Sequence, residues 1–267
     1  MVNIADLAIT SLETISAFNV TSGAYKWTLD ELQTASIAQS QDVTEITGKQ
    51  GRRITTLKRN KMITISGTNG LLSAGLLETQ TGSSFVNGAT KILWTESLTV
   101  TSNAATTTYK AIGTSGAEII ELYKKNSDGT LGTEFTQAGS DAAGKFTYNP
   151  STKALAFHSG DIANGSEIFV VYKRNITADK LVNKSDKFSE KCELFVDCLA
   201  EDKCGNVFRV QIHVPKADFN GEFSWDLGDN QAVHSFEATS LAGACGGTDD
   251  LYDITIFGAN IADTAVA

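Results

Sequence analysis

The sequence predicts a mainly β protein with one short helix and an inserted Ig-like β-sandwich module, and three observations carry that prediction. There are only 2 prolines against 23 glycines in a chain visibly rich in Thr, Ser, Val and Ile, which favours strands joined by Gly, Asn and Asp turns. Turn signals recur at short, regular intervals through residues 97–175. One stretch, residues 69–80, is apolar with helical rather than alternating spacing.

With 267 residues, of which 41% are hydrophobic and 20% charged, the chain has ordinary globular composition and the length for one large β domain or two smaller ones. A net charge of −9 would repel nucleic acid and anionic membranes, which argues against a sequence-reading nucleic-acid binder. Residues 1–6 lack a basic leader region, and apolar runs such as residues 168–172 are too short to span a bilayer, so a soluble protein without a membrane partner is expected. The four cysteines are too sparse for a disulfide scaffold and suggest thiols kept reduced in a cytoplasm during synthesis.

In chain order, Leu7, Ile9, Leu12 and Ile15 stand among small polar residues, a pattern that fits a strand or a helix equally. Tyr25, Trp27 and Leu29 alternate as a strand requires, residues 32–38 continue into a connection, and residues 43–46 form another short strand. Gly48 and Gly51 mark a turn or a flexible hairpin tip. Residues 54–57 and 62–66 read as two strands flanking a turn at Lys58-Arg59-Asn60-Lys61. Leu72 and Leu76 then share a helical face, with Asn69 placed to cap the helix and Gly82 to stop it.

Residues 92–94 resume the strand pattern. Turns at Asn126-Ser127-Asp128-Gly129, Asn149-Pro150-Ser151 and Asn164-Gly165-Ser166 separate strand runs at 118–124, 146–148, 154–157 and 168–172. This texture predicts an Ig-like β module over residues 97–176, set into one discontinuous domain of residues 1–96 and 177–267. Beyond it, residues 192–200 and 207–214 form a hairpin across a turn at 201–206. Pairing Leu199 with Phe208 places Phe195, Leu199, Phe208, Val210, Ile212 and Val214 on one buried face. Cys192, Leu194, Val196, Cys198, Arg209, Gln211 and His213 then fall on a mixed face suited to an intersubunit contact. Strands follow at 219–226, 232–241 and 252–257, with a loose small-residue tail after Gly258.

The sequence carries no recognised catalytic or cofactor signature. His158, His213 and His234 do not fall in a metal-binding spacing, and there is no nucleophile elbow, phosphate-cradling loop or dinucleotide fingerprint. Cys192, Cys198 and Cys204 are separated by five residues each, wider than a zinc knuckle, although Cys245 would complete a set of four; buried structural thiols are the better reading. Residues 243–247 read as a flexible loop, and Glu201-Asp202 and Asp249-Asp250 as solvated turns. An enzyme, a cofactor and a metal are therefore not expected.

The remaining feature is a basic segment in an acidic chain, holding Lys49, Arg52, Arg53, Lys58, Arg59 and Lys61. It reads as a solvated strand face, as a contact with an acidic patch on another copy, or as a contact with nucleic acid. The second reading makes Lys49, Arg52, Arg53, Ile54, Leu57, Lys58, Arg59 and Lys61 an assembly interface.

Three stretches resemble a known family: EITGKQGRR at residues 45–53, ITISGTNGLLSAGLL at 63–77 and VQIHVPKADFNGEF at 210–223. They look like major tail tube proteins of phages and prophages of Gram-positive gut bacteria, and the resemblance covers most of the chain. It implies a tail-tube-like β-sandwich or barrel that joins copies of itself, through sheets, into stacked hexameric rings. The partners it implies are the chain itself and other tail proteins, with DNA passing transiently and without specific binding. It places the protein in the virion tail, and in the host cytoplasm during assembly. A capsid decoration protein, or another β-rich virion surface protein with an Ig-like module, is the alternative.

Overall fold

Ile15 and Ala17 are fully buried while Ser16 between them is not, and that period of two makes the N-terminal stretch a strand, β1 (Leu7–Asn19). The computed structural model describes residues 7–225, 233–242 and 249–258. After β1 come β2 (Tyr25–Leu29), β3 (Leu32–Thr47), β4 (Arg53–Asn69) and the helix α1 (Ala74–Thr81). Then follow β5 (Val86–Thr99), β6 (Ala104–Thr106), β7 (Ile119–Lys125), β8 (Leu131–Glu134), β9 (Thr136–Gln137), β10 (Lys145–Asn149), β11 (Ala154–Phe157) and β12 (Glu167–Lys180). The last strands are β13 (Lys191–Asp202), β14 (Val207–Phe219), β15 (His234–Ser240) and β16 (Asp253–Gly258). The protein is thus mainly β, and none of its described helices is long and apolar enough to cross a membrane.

Two compact units share the chain: Met1–Phe85 with Leu181–Ala267, and Val86–Lys180. The first holds an eight-stranded antiparallel sheet in the order β2-β1-β13-β14-β15-β4-β3, with β16 also on β14. Strand β14 serves two neighbours in turn, β16 along residues 208–213 and β15 along 217–219. Pro215 lies between these segments, where β14 bulges against β13, so its missing N–H takes nothing from the ladder.

The β13–β14 register differs by one residue from the sequence reading. Leu199 pairs with Arg209, and Ala200 with Phe208. The turn sets this register: the Asp202 carboxylate accepts the backbone N–H of Cys204 and of Asn206 and the Asn206 side-chain amide. Those bonds, the Asn206 side chain's first, also hold the Asp202 carboxyl below the usual carboxylate range. Because side chains alternate, the slip exchanges the faces of β13. Cys192, Leu194, Val196, Cys198 and Ala200 enter the core beside Val210, Ile212 and Val214, while Phe195 and Leu199 turn outward. Burial raises the pKa of both core thiols.

Other boundaries shift for local reasons. Residues 32–38 belong to β3 rather than to a connection. The helix is capped by Ser73, whose hydroxyl accepts the Leu76 N–H at 3.3 Å; Asn69 instead ends β4 and donates its side-chain amide to the Leu71 carbonyl. Gly82 does stop the helix, in the left-handed conformation at φ 62°. Gly75 lets α1 lie against Trp27, since a Cβ there would come within 2.6 Å of the Trp27 side chain. The Trp27 indole N–H then reaches the Thr79 hydroxyl at 2.9 Å. The strand expected at 219–226 ends at Phe219, followed by a loop and a single bridge from Trp225 to His234. Asp226, Ala232, the loop at 243–247 with Cys245, and the tail after Gly258 lie outside the described residues.

The second unit has two four-stranded sheets, β6-β11-β10-β9 and β5-β12-β7-β8. Both line one core, with Leu122, Ile168, Val170 and Tyr172 from one sheet and Phe146, Leu155 and Phe157 from the other. Two tyrosines pin the segment between β6 and β7: the Tyr148 hydroxyl accepts the Ala111 N–H at 2.8 Å, and that of Tyr172 accepts the Tyr109 N–H while donating to Glu96. Burial, then the bond to Glu96, raises the Tyr172 pKa, so it remains a donor. Tyr109 in turn stacks on the Arg174 guanidinium, 3.5 Å from its ring centre.

Candidate assembly surface

Strands β3 and β4 form a hairpin, and past the point where Ile63 enters the core its outer part has no core of its own. From residue 38 to 62 no side chain is buried, and only Gly48 and Thr56 are partly covered. At ~3.3 Å per residue this ribbon extends roughly 25 Å. The turn expected at Lys58-Arg59-Asn60-Lys61 is a β-bulge in one continuous strand. Ser40 pairs with Met62 and Asp42 with Arg59, leaving Asn60 and Lys61 opposite Gln41. Asn60 holds φ 52°, the left-handed conformation that made the sequence look like a turn.

The structure brings the basic residues to two levels of this arm. Lys49, Arg52 and Arg53 surround the tip, where residues 49–51 make a single helical turn, and Lys58, Arg59 and Lys61 flank the bulge. Arg53 pairs with Glu45 at 3.2 Å. Ile54 is 68% exposed and its end lies over Gly48, where a Cβ would meet it at 2.6 Å. Leu57 lies opposite Thr44, on the same face as Ile46.

Val43, Ile46 and Met62 are also exposed apolar residues of the arm, and the sequence reading did not include them. Their spacing carried no signal, because β3 beyond Ile37 does not alternate apolar and polar residues: Val43 and Ile46 stand three apart among polar neighbours. Residues 39–62 hold six basic and two acidic side chains, so the other 16 basic and 29 acidic residues leave the rest of the chain at −13.

The outward face of the main sheet is acidic and aromatic. The two ring nitrogens of His213 lie 2.8 Å from Glu193 and 2.7 Å from Asp253, and Phe195 stacks on its ring at 4.5 Å. Phe18 meets Phe195 edge-on at 5.5 Å, and the Gln211 amide donates to Asp197 at 2.9 Å.

The profile of the YomU/Tube protein family matches residues 7–249. The chain belongs to the YomU/Tube family. That name points to a phage tube structural protein, the class that the three quoted stretches resemble. No curated protein matches the chain.

The family match runs through both units, so Val86–Lys180 lies within the span of the family. In this YomU/Tube chain Cys192 and Cys198 stand six residues apart on β13, about 20 Å along a strand. They cannot share a ligand ion, and among the described residues no group of three His, Cys, Asp or Glu side chains is placed to hold a metal ion. Cys204 is exposed on the β13–β14 turn.

Proposed function

We propose that this YomU/Tube chain is a subunit of a phage tail tube, assembling with copies of itself into stacked hexameric rings whose bore conducts DNA during ejection. The observation that carries the reading is the β3–β4 arm. A two-stranded hairpin alone is marginal in water, and this one exposes five large apolar side chains, Val43, Ile46, Ile54, Leu57 and Met62. Such a ribbon gains most when a second surface covers it. Its excess of basic charge finds complementary charge on its own kind, because the rest of the chain carries −13. Lys49, Arg52, Arg53, Ile54, Leu57, Lys58, Arg59 and Lys61 make the contact in this account.

The sheet edge supports the same reading. Strand β3 has one partner among the described residues, and its 16 residues contain no Lys or Pro to discourage pairing. The acidic balance of the chain fits a DNA conduit, with repulsion reaching about 8 Å from a wall at physiological salt. Val86–Lys180, with its own core, acts as an Ig-like module carried by the tube domain, and other tail proteins meet the tube at its ends. No catalytic step is assigned.

Electron microscopy of concentrated purified protein tests the proposal. Rings or tubes are expected. A strictly monomeric species by light scattering, with no filaments at any salt concentration, contradicts it.

A further inference from the structure

The first unit leaves an apolar groove of about 380 Å³, lined among others by Ile9, Ile37, Ile63, Ile212, Tyr252 and Ile254. Its walls include β3 and β16, each of which pairs with a single strand among the described residues. Ile9 and Ile254 at its rim are exposed, whereas Ile63 and Val196 beneath are buried. A groove of this kind loses water-exposed apolar area when filled, at about 25 cal/mol per Å² buried.

We infer that this groove receives the apolar side of the β3–β4 arm from a second copy, so that each copy gives one arm and takes one. The inference rests on the self-assembly reading above and names the contact that would carry it. Three observations favour this occupant. The arm displays aliphatic side chains with nothing to cover them, Ile54 foremost. Its positive charge meets a carboxylate beside the groove, since the charge of Glu13 acts on the thiol of Cys198, which is in the lining. Gln39 and Ile63, at the root of the arm, also line the groove, and a paired ribbon leading roughly 25 Å away from its root does not double back onto it. The arm that fills the groove must therefore come from another copy. A contact that joins two different surfaces in this way repeats head to tail, closing rings or extending filaments.

Photo-cross-linking on the full chain tests it. A benzoylphenylalanine replaces Ile54 in one sample and Ala35, which lines the groove, in another, with isotopically labelled and unlabelled copies mixed so that intermolecular products are recognised. Position 54 should capture residues 9–12, 35–39 or 252–254 of another copy, and position 35 should capture residues 43–57 of another copy. Assemblies that form while these cross-links map to other surfaces overturn the groove assignment and leave self-assembly standing. Capture of residues 259–267 by position 35 assigns the groove to the chain's own C-terminal segment and likewise overturns it. Failure of the parent to multimerise at any concentration removes both readings. As a second measurement, Ala35→Trp fills the groove from an exposed strand edge. It should lower assembly at fixed concentration at least tenfold with unchanged circular dichroism, and unchanged assembly contradicts the inference.

Discussion

The side-chain amide of Asn60 donates to the Asp42 carboxylate across the arm at 2.8 Å, fixing the bulge from one strand to the other. Asn is among the few residues that adopt φ near +52° at modest cost, and its short amide reaches the opposite strand from there. Asn60→Val therefore removes the hydrogen bond and forces a β-branched residue into a left-handed conformation, at about 1–2 kcal/mol for the backbone alone. Faster amide exchange over residues 38–62 and weaker self-association are expected, with the melting of the core unchanged. Asn60→Gly, which accepts the same backbone conformation, should lose less.

Acidification should act through His234. The Gln80 amide donates to the Ser235 carbonyl at 2.9 Å, which turns its oxygen toward His234 Nε2 at 2.7 Å and keeps the proton on that nitrogen. Burial lowers the pKa of this ring from its ordinary 6.5, so the unfolded chain takes up the proton first. Stability contributed here is present above about pH 6.5 and is lost as pH falls below it, with a slope of at most about 1.4 kcal/mol per pH unit. Urea midpoints measured from pH 7.5 to 5 should fall more steeply for the parent than for His234→Gln. Parallel curves contradict this assignment.

Within the second unit, Tyr148→Phe leaves the buried Ala111 N–H without its acceptor, and Tyr172→Phe strips a partner from both Tyr109 and Glu96. Each should cost about 1–3 kcal/mol. The two units have separate cores, so calorimetry should show the loss in the transition of Val86–Lys180 alone.

Excising that unit should leave the other intact. Val86 and Lys180 are the last pair of the β5–β12 ladder, so their backbones lie side by side and a short Gly/Ser link can join them. The shortened chain is expected to stay soluble and to assemble; insoluble protein would show that the first unit depends on the excised strands.

The β class, the helix stop at Gly82 and the turn-rich strands of residues 118–172 were legible because each rests on local chemistry: alternation, a left-handed glycine, Asn and Gly turns. What was not legible depended on pairing. The β13–β14 register hangs on how Asp202 and Asn206 close the turn, and a single-residue difference exchanged the two faces of β13, although Cys192 and Cys198 are the buried thiols the sequence suggested. Asn60 carried a true left-handed signal, but whether that makes a turn or a bulge is decided by the strand opposite. The basic residues of the arm stood out as a charge run. Val43, Ile46 and Met62 did not, since exposure is a property of the missing third strand rather than of their own sequence.

The most direct test of self-assembly through the arm compares the parent with Arg52→Glu/Arg53→Glu by sedimentation velocity and electron microscopy across a salt series. Both positions are exposed and outside the core, so the double variant should keep the parent's fold and melting temperature. Single exposed ion pairs contribute only about 0–1 kcal/mol, but reversing two charges at the tip of an arm repels the acidic surface it is proposed to meet. The account predicts rings or tubes from the parent and monomers from the variant at low salt, with the difference narrowing as salt rises. A variant that assembles like the parent at every salt concentration would contradict it.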